Sequence, residues 1–362
     1  MTRPIVMVDL LFYTGTKGGM ETYAREVYSR IHAADPDVEF VGYASRELAA
    51  AGAPWFPGRI VDSGISGESR IAWAVGEIFA VRRAAKRLGA ALIHVPANFG
   101  PTGYGVPTVV TIHDLLAFRF PEYLPGAYGA ALRWLIRRTA RSARHVLTVS
   151  EASAADIRSF LRVHRVRTIP LAASPGHTPA AHRDGQRLLA VGNRMPHKGF
   201  ELLLEALASM PSTSRPQLTI TGSHGHDPLA PLVETLGLRD SVTLKGWLTN
   251  DELATAYATA TAFVFPTRFE GFGLPVLEAM AAGCPVICAD LPVLREVAGD
   301  AAYYCDASSA AGLAEAIMRV INDAALLRRL EDAGHVQAAR FSWERTATDT
   351  RAAVVDALAA AA

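Results

Sequence analysis

The chain has 362 residues, half of them hydrophobic and 20% charged. That length favours two domains, and the composition supplies full apolar cores, which excludes a disordered or fibrous protein. Lys and Arg number 36 against 35 Asp and Glu, a net charge of +1 that argues against a dedicated nucleic-acid binder.

Taken in chain order, short β-rich runs alternate with longer helical stretches. The first series has strand-like runs at 4–12, 38–43, 91–96, 108–113, 145–150 and 166–170, with helical stretches near 19–33, 69–88, 127–143 and 151–162. Segment 174–186, SPGHTPAAHRDGQ, has no periodicity and is rich in Pro, Gly and His, so it reads as a linker. The second series has strands at 187–192, 217–222, 241–246, 262–266 and 285–289. Its helices fall near 198–209, 228–236, 250–259, 275–282, 308–321 and 323–338. Most of the strands are apolar throughout, as expected when helices cover both faces of a parallel sheet.

The predicted fold class is therefore α/β, with two Rossmann-like, doubly wound parallel-sheet domains facing across a cleft. The expected boundaries are 1–173, the linker 174–186, 187–341, and a final Ala-rich helix in 342–362. Ligands in such folds bind beyond the carboxyl ends of the strands.

No apolar stretch reaches the roughly 20 residues of a spanning helix. The N-terminus MTRPIVMVDLLF is short and no small-residue cleavage site follows it, so it reads as a first core strand and not a signal peptide. Cys284, Cys288 and Cys305 make no disulfide framework and read as small core hydrophobes, which fits a reducing cytoplasm. Only four residues are Lys (Lys17, Lys86, Lys198 and Lys245), so 32 of the 36 basic residues are Arg. A Lys in this chain is accordingly worth attention.

The strongest motif is PTRFEGFGLPVLEAMAAGCPVICA, 266–289. A strand ends in a loop carrying Gly271 and Gly273, and a helix begins at about Pro275, a residue suited to the first helical turn. The free N–H groups of that turn and the helix dipole favour an anion. Glu270 precedes the helix and Glu278 sits in its first turns. Carboxylates do not bind phosphate but accept hydrogen bonds from sugar hydroxyls. An anion site flanked by two carboxylates fits a phosphate centre with a polyol on each side, as in a nucleotide sugar. The plain alternative is a loop carboxylate and a helix-stabilising Glu.

Three further segments fall on the same edge. VGNRMPHKGF (191–200) brings Arg194 and Lys198 into a strand-to-helix turn, where two cations suit a pyrophosphate, though a solvated cationic turn has the same composition. TGTKGGMETYARE (14–26) carries Gly15, Gly18 and Gly19 ahead of a helix. The last two would let backbone N–H groups approach a phosphate or sugar, or simply make a tight turn. VVTIHD ends a strand at His113 and Asp114; a lone His there is either a structural group or one that meets substrate.

These segments, together with LTVSEASAADI and GWLTNDELATAYATA, resemble in order and spacing the retaining glycosyltransferases of family 4, which have the two-domain GT-B fold. The resemblance covers nearly the whole chain, and EGFGLPVLEAMAAG is its most specific part. It implies that Glu270 contacts donor-sugar hydroxyls and Glu278 the ribose, and that Arg194 and Lys198 hold the diphosphate. Backbone groups of Phe272, Gly273 and Leu274 would face the sugar or phosphate, the base would lie near Trp247 and Leu248, and Gly18 and Gly19 would approach the diphosphate from the first domain. His113 would meet the donor sugar at the reaction centre, and the final helix would cross back to the first domain.

The reaction so implied is transfer of a sugar from a nucleoside diphosphate to an acceptor hydroxyl with retained anomeric configuration. It would need no metal and no cofactor, because Arg and Lys stabilise the departing diphosphate. The early segments resemble bacterial mannosyltransferases, so GDP-mannose is the first expectation for the donor. UDP- and dTDP-sugars, including those used on natural products, are alternatives, as are a nucleotide-sugar 2-epimerase of the same fold and a non-catalytic nucleotide-sugar-binding protein. The acceptor would be a glycan, a lipid-linked saccharide or a small molecule.

The near-zero total charge hides a split. Residues 1–172 hold 21 basic and 14 acidic side chains, net +7; residues 173–362 hold 15 and 21, net −6. The basic excess concentrates in RRAAKR (82–87) and RWLIRRTARSAR (133–144), the latter with Trp134, Leu135 and Ile136. It reads either as solvated Arg faces or as a surface for anionic lipid or an acidic lipid-linked acceptor, which would place the protein in the cytoplasm, at the inner membrane face.

Overall fold

The computed structural model describes residues 3–16, 18–32, 35–103, 105–173 and 186–360. The chain forms two compact units, Met1–Leu171 with Trp343–Ala362, and Ala172–Ser342. Apart from Gln186, the predicted linker lies outside the described residues.

The first unit is built on seven strands: β1 (Ile5–Leu10), β2 (Glu39–Ala44), β3 (Arg59–Asp62), β4 (Ala90–Val95), β5 (Thr108–Ile112), β6 (His145–Thr148) and β7 (Val166–Thr168). Their spatial order is β3-β2-β1-β4-β5-β6-β7, with every neighbour parallel. The helices between them are α1 (Gly18–Tyr28), α2 (Arg46–Ala51), α3 (Arg70–Leu88), α4 (Leu116–Arg119), α5 (Gly126–Ser142) and α6 (Glu151–Asp156). Helix α3 shows why its boundaries are sharp. The Ser69 side chain accepts from Ala72 N at the start, Lys86 and Arg87 occupy the last turn, and Gly89 in the left-handed region ends it. Crossovers to the right in the strand order put α3 and α5 on one face of the sheet.

The second unit has six strands: β8 (Arg187–Val191), β9 (Gln217–Ser223), β10 (Val242–Gly246), β11 (Ala262–Phe265), β12 (Val286–Ala289) and β13 (Ala302–Cys305). Their order is β10-β9-β8-β11-β12-β13, again all parallel. The helices are α7 (Phe200–Ser209), α8 (Ala230–Thr235), α9 (Asn250–Thr259), α10 (Leu274–Ala281), α11 (Pro292–Ala298), α12 (Ala310–Ile321) and α13 (Ala324–Ala338). One face of the sheet packs Leu203, Leu207, Ile220, Val264, Ile287 and Ile317 into a single core.

Helix α14 (Trp343–Ala359) belongs to the first unit, where it lies along α1. Tyr23 Oη meets Thr350 Oγ1 at 3.4 Å, Thr346 Oγ1 donates to Pro170 O at 2.7 Å, and Arg351 Nη2 pairs with Asp35 Oδ1 at 2.8 Å.

Several elements escape the sequence pattern. Edge strands β3 and β13 are four residues each; β3, RIVD, is exposed at both ends and makes no apolar run, and β13 is too short and too little buried to stand out as a strand. The helix predicted over 151–162 is α only to Asp156; Ile157–Leu161 widens into a π turn, and Arg162 stops it at φ 55°. Leu135 and Ile136, read as surface companions of Trp134, are buried in the core, since their face of α5 packs on the sheet while Trp134 points away. All three cysteines are buried and free. Among the described residues, no helix is long and apolar enough to cross a membrane.

Candidate active site

In each unit the strand order reverses at one point: between β1 and β4 in the first, between β8 and β11 in the second. Loops leaving such neighbours diverge to opposite sides and open a crevice at the carboxyl edge. The motifs singled out above leave β1, β8 and β11, and His113 leaves β5 next to β4.

In the second unit, the loop after β8 and the loop after β11 are stitched together by backbone. Arg268 N donates to His197 O at 2.7 Å, and the fully buried Thr267 hydroxyl reaches His197 O at 3.1 Å and Phe269 O at 3.0 Å. Gly199 sits at φ 71° where a Cβ would fall 2.2 Å from Pro266 O, so only glycine lets the loops approach this closely. The outcome is a salt bridge between Lys198 Nζ and Glu270 Oε1 at 2.7 Å, with both side chains nearly nine-tenths buried. Lys198 Nζ also lies 5.3 Å from the centre of the Phe265 ring.

Beside this pair, α10 starts from Gly273, at φ 95°, with Pro275 in its first turn and no side chain capping it. Its first N–H groups and its dipole are thus presented to the loop side. Phe272 turns its ring inward onto Phe341, at 5.9 Å between centres. Glu278, one turn into α10, accepts from Tyr257 Oη at 3.3 Å. Burial pushes its carboxyl up to about 7, and the Tyr257 hydrogen bond only partly offsets that. Trp247, just past β10, is half exposed and lies 5.3 Å from the His224 ring, which follows β9. The two rings make an aromatic shelf, with Leu248 partly buried next in the chain.

Arg194 is placed differently from the expectation. It does not stand free beside Lys198. Its Nε and Nη2 grip the Asp227 carboxylate, Nη1 donates to Gly192 O and Thr221 O, and Nη2 donates to Ile220 O. A guanidinium has five N–H groups, and all five are satisfied inside the unit. The reason is local. Gly192 and Gly222, both at positive φ, let the ends of β8 and β9 close up and turn carbonyls toward the side chain. Asp227 is held below its usual carboxylate range: burial opposes this, but the Arg194 hydrogen bonds outweigh it. Arg194 therefore braces the carboxyl ends of β8 and β9.

In the first unit, Gly18 and Gly19 open α1 at the surface, and a Cβ on Gly19 would meet nothing within 4 Å. Packing does not demand glycine at position 19. The preceding turn folds back onto Glu21, whose Oε1 accepts from Thr14 N at 2.5 Å and Gly15 N at 3.2 Å.

His113 is buried. Its N–H donates to Asn98 Oδ1 at 2.7 Å, its carbonyl accepts from Ser153 Oγ at 3.3 Å, and Tyr23 packs edge-on at 5.0 Å. Nε2 lies 3.0 Å from Pro96 O, an atom that only accepts. Nε2 therefore carries the proton and Nδ1 the lone pair. Burial lowers its pKa to about 4 against the opposing Pro96 bond, so the ring is neutral at pH 7.

Thr267, Asp227, Tyr257 and His224 were not singled out in the sequence. Each acts through a partner at least 21 residues away or through backbone, and no local pattern marks such a pairing. Among the described residues, no group of three or more His, Cys, Asp or Glu side chains is placed to hold a metal ion.

Two parallel-sheet units with chemistry-bearing loops at their switch points define the GT-B class of fold. Sucrose-phosphate synthase (tll1590) from Thermosynechococcus elongatus superposes with a TM-score of 0.80 at 22% identity, over 99% of this chain and all of that one. Residues 17–175 match the model of Glycosyltransferase Family 4, and residues 179–337 match that of Glycosyl transferases group 1. The O-antigen chain mannosyltransferase B of Escherichia coli is 31% identical over 67% of this chain and 68% of its own. The MMP alpha-(1->4)-mannosyltransferase of Mycolicibacterium hassiacum is 32% identical over 70% of this chain and 66% of its own. The chain belongs to the family 4 glycosyltransferases.

Proposed function

We propose that this glycosyltransferase transfers a hexose, mannose from GDP-mannose in the first instance, to a hydroxyl of a glycan, lipid-linked or small-molecule acceptor with retention of configuration. The mannosyl assignment follows the two curated relatives, both named as mannosyltransferases. The observation that carries the reading is the Lys198–Glu270 pair set beside the uncapped N-terminus of α10.

In this reading Lys198 and the first N–H groups of α10, at Gly273 and Leu274, take the diphosphate. Glu270 accepts hydrogen bonds from the donor sugar, Glu278 from the ribose, and the base rests on Trp247 beside Leu248. Arg194 acts on the diphosphate only indirectly, by holding the ends of β8 and β9. Gly18 and Gly19 leave backbone N–H groups open to an anion, and His113 offers Nδ1 as an acceptor for a sugar hydroxyl. The bond from the anomeric carbon to the phosphate oxygen breaks, and its electron pair leaves with the phosphate. The acceptor oxygen adds from the same face, and its proton passes to the departing phosphate oxygen. Lys198 and the helix N-terminus supply the positive potential, so the reaction proceeds without a divalent cation.

Lys198→Ala and Glu270→Ala should each lower transfer from GDP-mannose at least a hundredfold in a folded protein. Near-normal turnover by either sinks the site assignment. An inverted anomer in the product NMR spectrum excludes retention, and loss of activity on adding EDTA excludes metal independence. A thermal-shift panel of GDP, UDP and dTDP selects the donor nucleotide. Donor incubated alone should give at most slow hydrolysis; an altered sugar would identify an epimerase.

A further inference from the structure

The surface of the first unit carries a feature the transfer reaction does not use. Along α3, Ile71, Val75 and Phe79 are spaced four residues apart and are 77%, 50% and 55% exposed. That spacing stacks them in one stripe on the outer side of the helix. On α5, Tyr128 and Trp134 are likewise exposed. The two helices meet: the Arg70 guanidinium lies 5.9 Å over the Tyr128 ring.

The same pair of helices is strongly cationic. Helix α3 holds Arg70, Arg82, Arg83, Lys86 and Arg87, and α5 holds Arg133, Arg137, Arg138 and Arg141. Against these nine stands one carboxylate, Glu77, which is fully buried. Arg82 and Arg138 face each other closely enough to repel, and Arg82 Nε has no hydrogen-bond partner among the described residues. Five large apolar side chains and a crowd of unneutralised cations are costly to leave in water together.

We propose that this α3–α5 face docks on an anionic lipid bilayer, with Ile71, Val75, Phe79 and Trp134 entering the headgroup–acyl boundary and the Arg and Lys side chains meeting lipid phosphates. The charge decides the occupant. A second copy would set nine cations against nine, whereas a bilayer rich in anionic lipid supplies a sheet of counter-charge and an apolar layer below it. Aromatic and aliphatic residues on one face, flanked by Arg and Lys, are the composition of a helix lying in a membrane interface.

Co-sedimentation of the full chain with vesicles tests this without donor or acceptor, so its outcome is separate from that of the transfer reaction. Binding is expected to vesicles of phosphatidylcholine with 30% phosphatidylglycerol at low salt, and not to pure phosphatidylcholine. The Phe79→Ser/Trp134→Ser variant should bind the anionic vesicles at least tenfold more weakly. Arg83→Gln/Lys86→Gln should lose roughly 25-fold, at about fivefold per cation near the surface. Arg328→Gln/Arg329→Gln, which removes two exposed cations from α13, should leave binding unchanged. Failure to bind anionic vesicles, equal binding to pure phosphatidylcholine, or equal losses from the α13 control and the α3 variant each overturns the proposal.

Discussion

Replacing Glu278 by Gln should make the protein more stable at pH 8 than at pH 5, relative to the parent chain. The Glu278 carboxyl titrates at about 7 in the fold, against 4.5 for the free group. Burial disfavours its ionised form, so its folded pKa is raised, and the stability it contributes below pH 4.5 is lost as pH rises toward 7. A shift of about 2.5 units corresponds to roughly 3 kcal/mol, reached in full above pH 7. Gln keeps an oxygen for the Tyr257 hydroxyl and has no charge to bury. Urea unfolding followed by circular dichroism at pH 5, 6, 7 and 8 should show the variant gaining most of that amount between pH 5 and 7, then a plateau. On the proposed ribose contact the same group should govern nucleotide binding, because a diol donates a stronger hydrogen bond to an ionised carboxylate than to the acid. The ionised fraction rises about tenfold between pH 6 and pH 8 for a group at 7. GDP affinity in the parent chain should therefore rise by up to about tenfold, and the Gln variant should show no such rise. A variant whose stability tracks the parent's at every pH would refute the reasoning, since Glu278 would then not be the buried acid that titrates.

Removing one partner of the Arg194–Asp227 pair strands a buried charge, so Asp227→Ala should cost about 3–5 kcal/mol in unfolding free energy, and the double variant with Arg194→Ala clearly less than the sum. Additive losses would contradict the bracing role. In the first unit, Asp9 and Glu77 are fully buried, and Asp9 Oδ2 and Glu77 Oε2 have no hydrogen-bond partner among the described residues. Burial first, and then the neighbouring carboxylate, push Glu77 well above the usual range, so the pair is stabilising at low pH and becomes a liability as pH rises. Thermal unfolding at pH 6 and pH 9 should show Glu77→Gln gaining on the parent chain at the higher pH; a constant difference would refute it.

Much of the layout is legible along the chain because the signals are local. Predominantly apolar runs such as PIVMVDL and AFVFP mark strands covered on both faces, and α9 and α13 match the predicted spans near 250–259 and 323–338, with the Thr249 and Asp323 side chains capping their first turns. The edge strands fail for the opposite reason: β3, exposed at both ends, has no reason to be apolar.

At the site, residue type and order marked Glu270, Glu278, Lys198 and His113, because a glycine-bearing loop between a strand and a helix has few uses. What such a reading lacks is direction. Arg194 and Lys198 are four residues apart on one turn and look equivalent as cations. Gly192, Gly222 and the distant Asp227 draw Arg194 down to the sheet edge, while Gly199 lets Lys198 meet Glu270.

The sequence by itself determined the parallel α/β class, the two series of strands and the loops that carry chemistry, because periodicity and turn residues act within a few positions. Tertiary structure decided which charges are spent on the fold and which stay available. Trp134 shares its helix with Leu135 and Ile136, yet only packing separates the one that faces water from the two in the core. The pairing of Asp227 with Arg194 depends on where parallel strands set their carboxyl ends, and that of Tyr257 with Glu278 on how α9 packs against α10, which no window of local sequence contains.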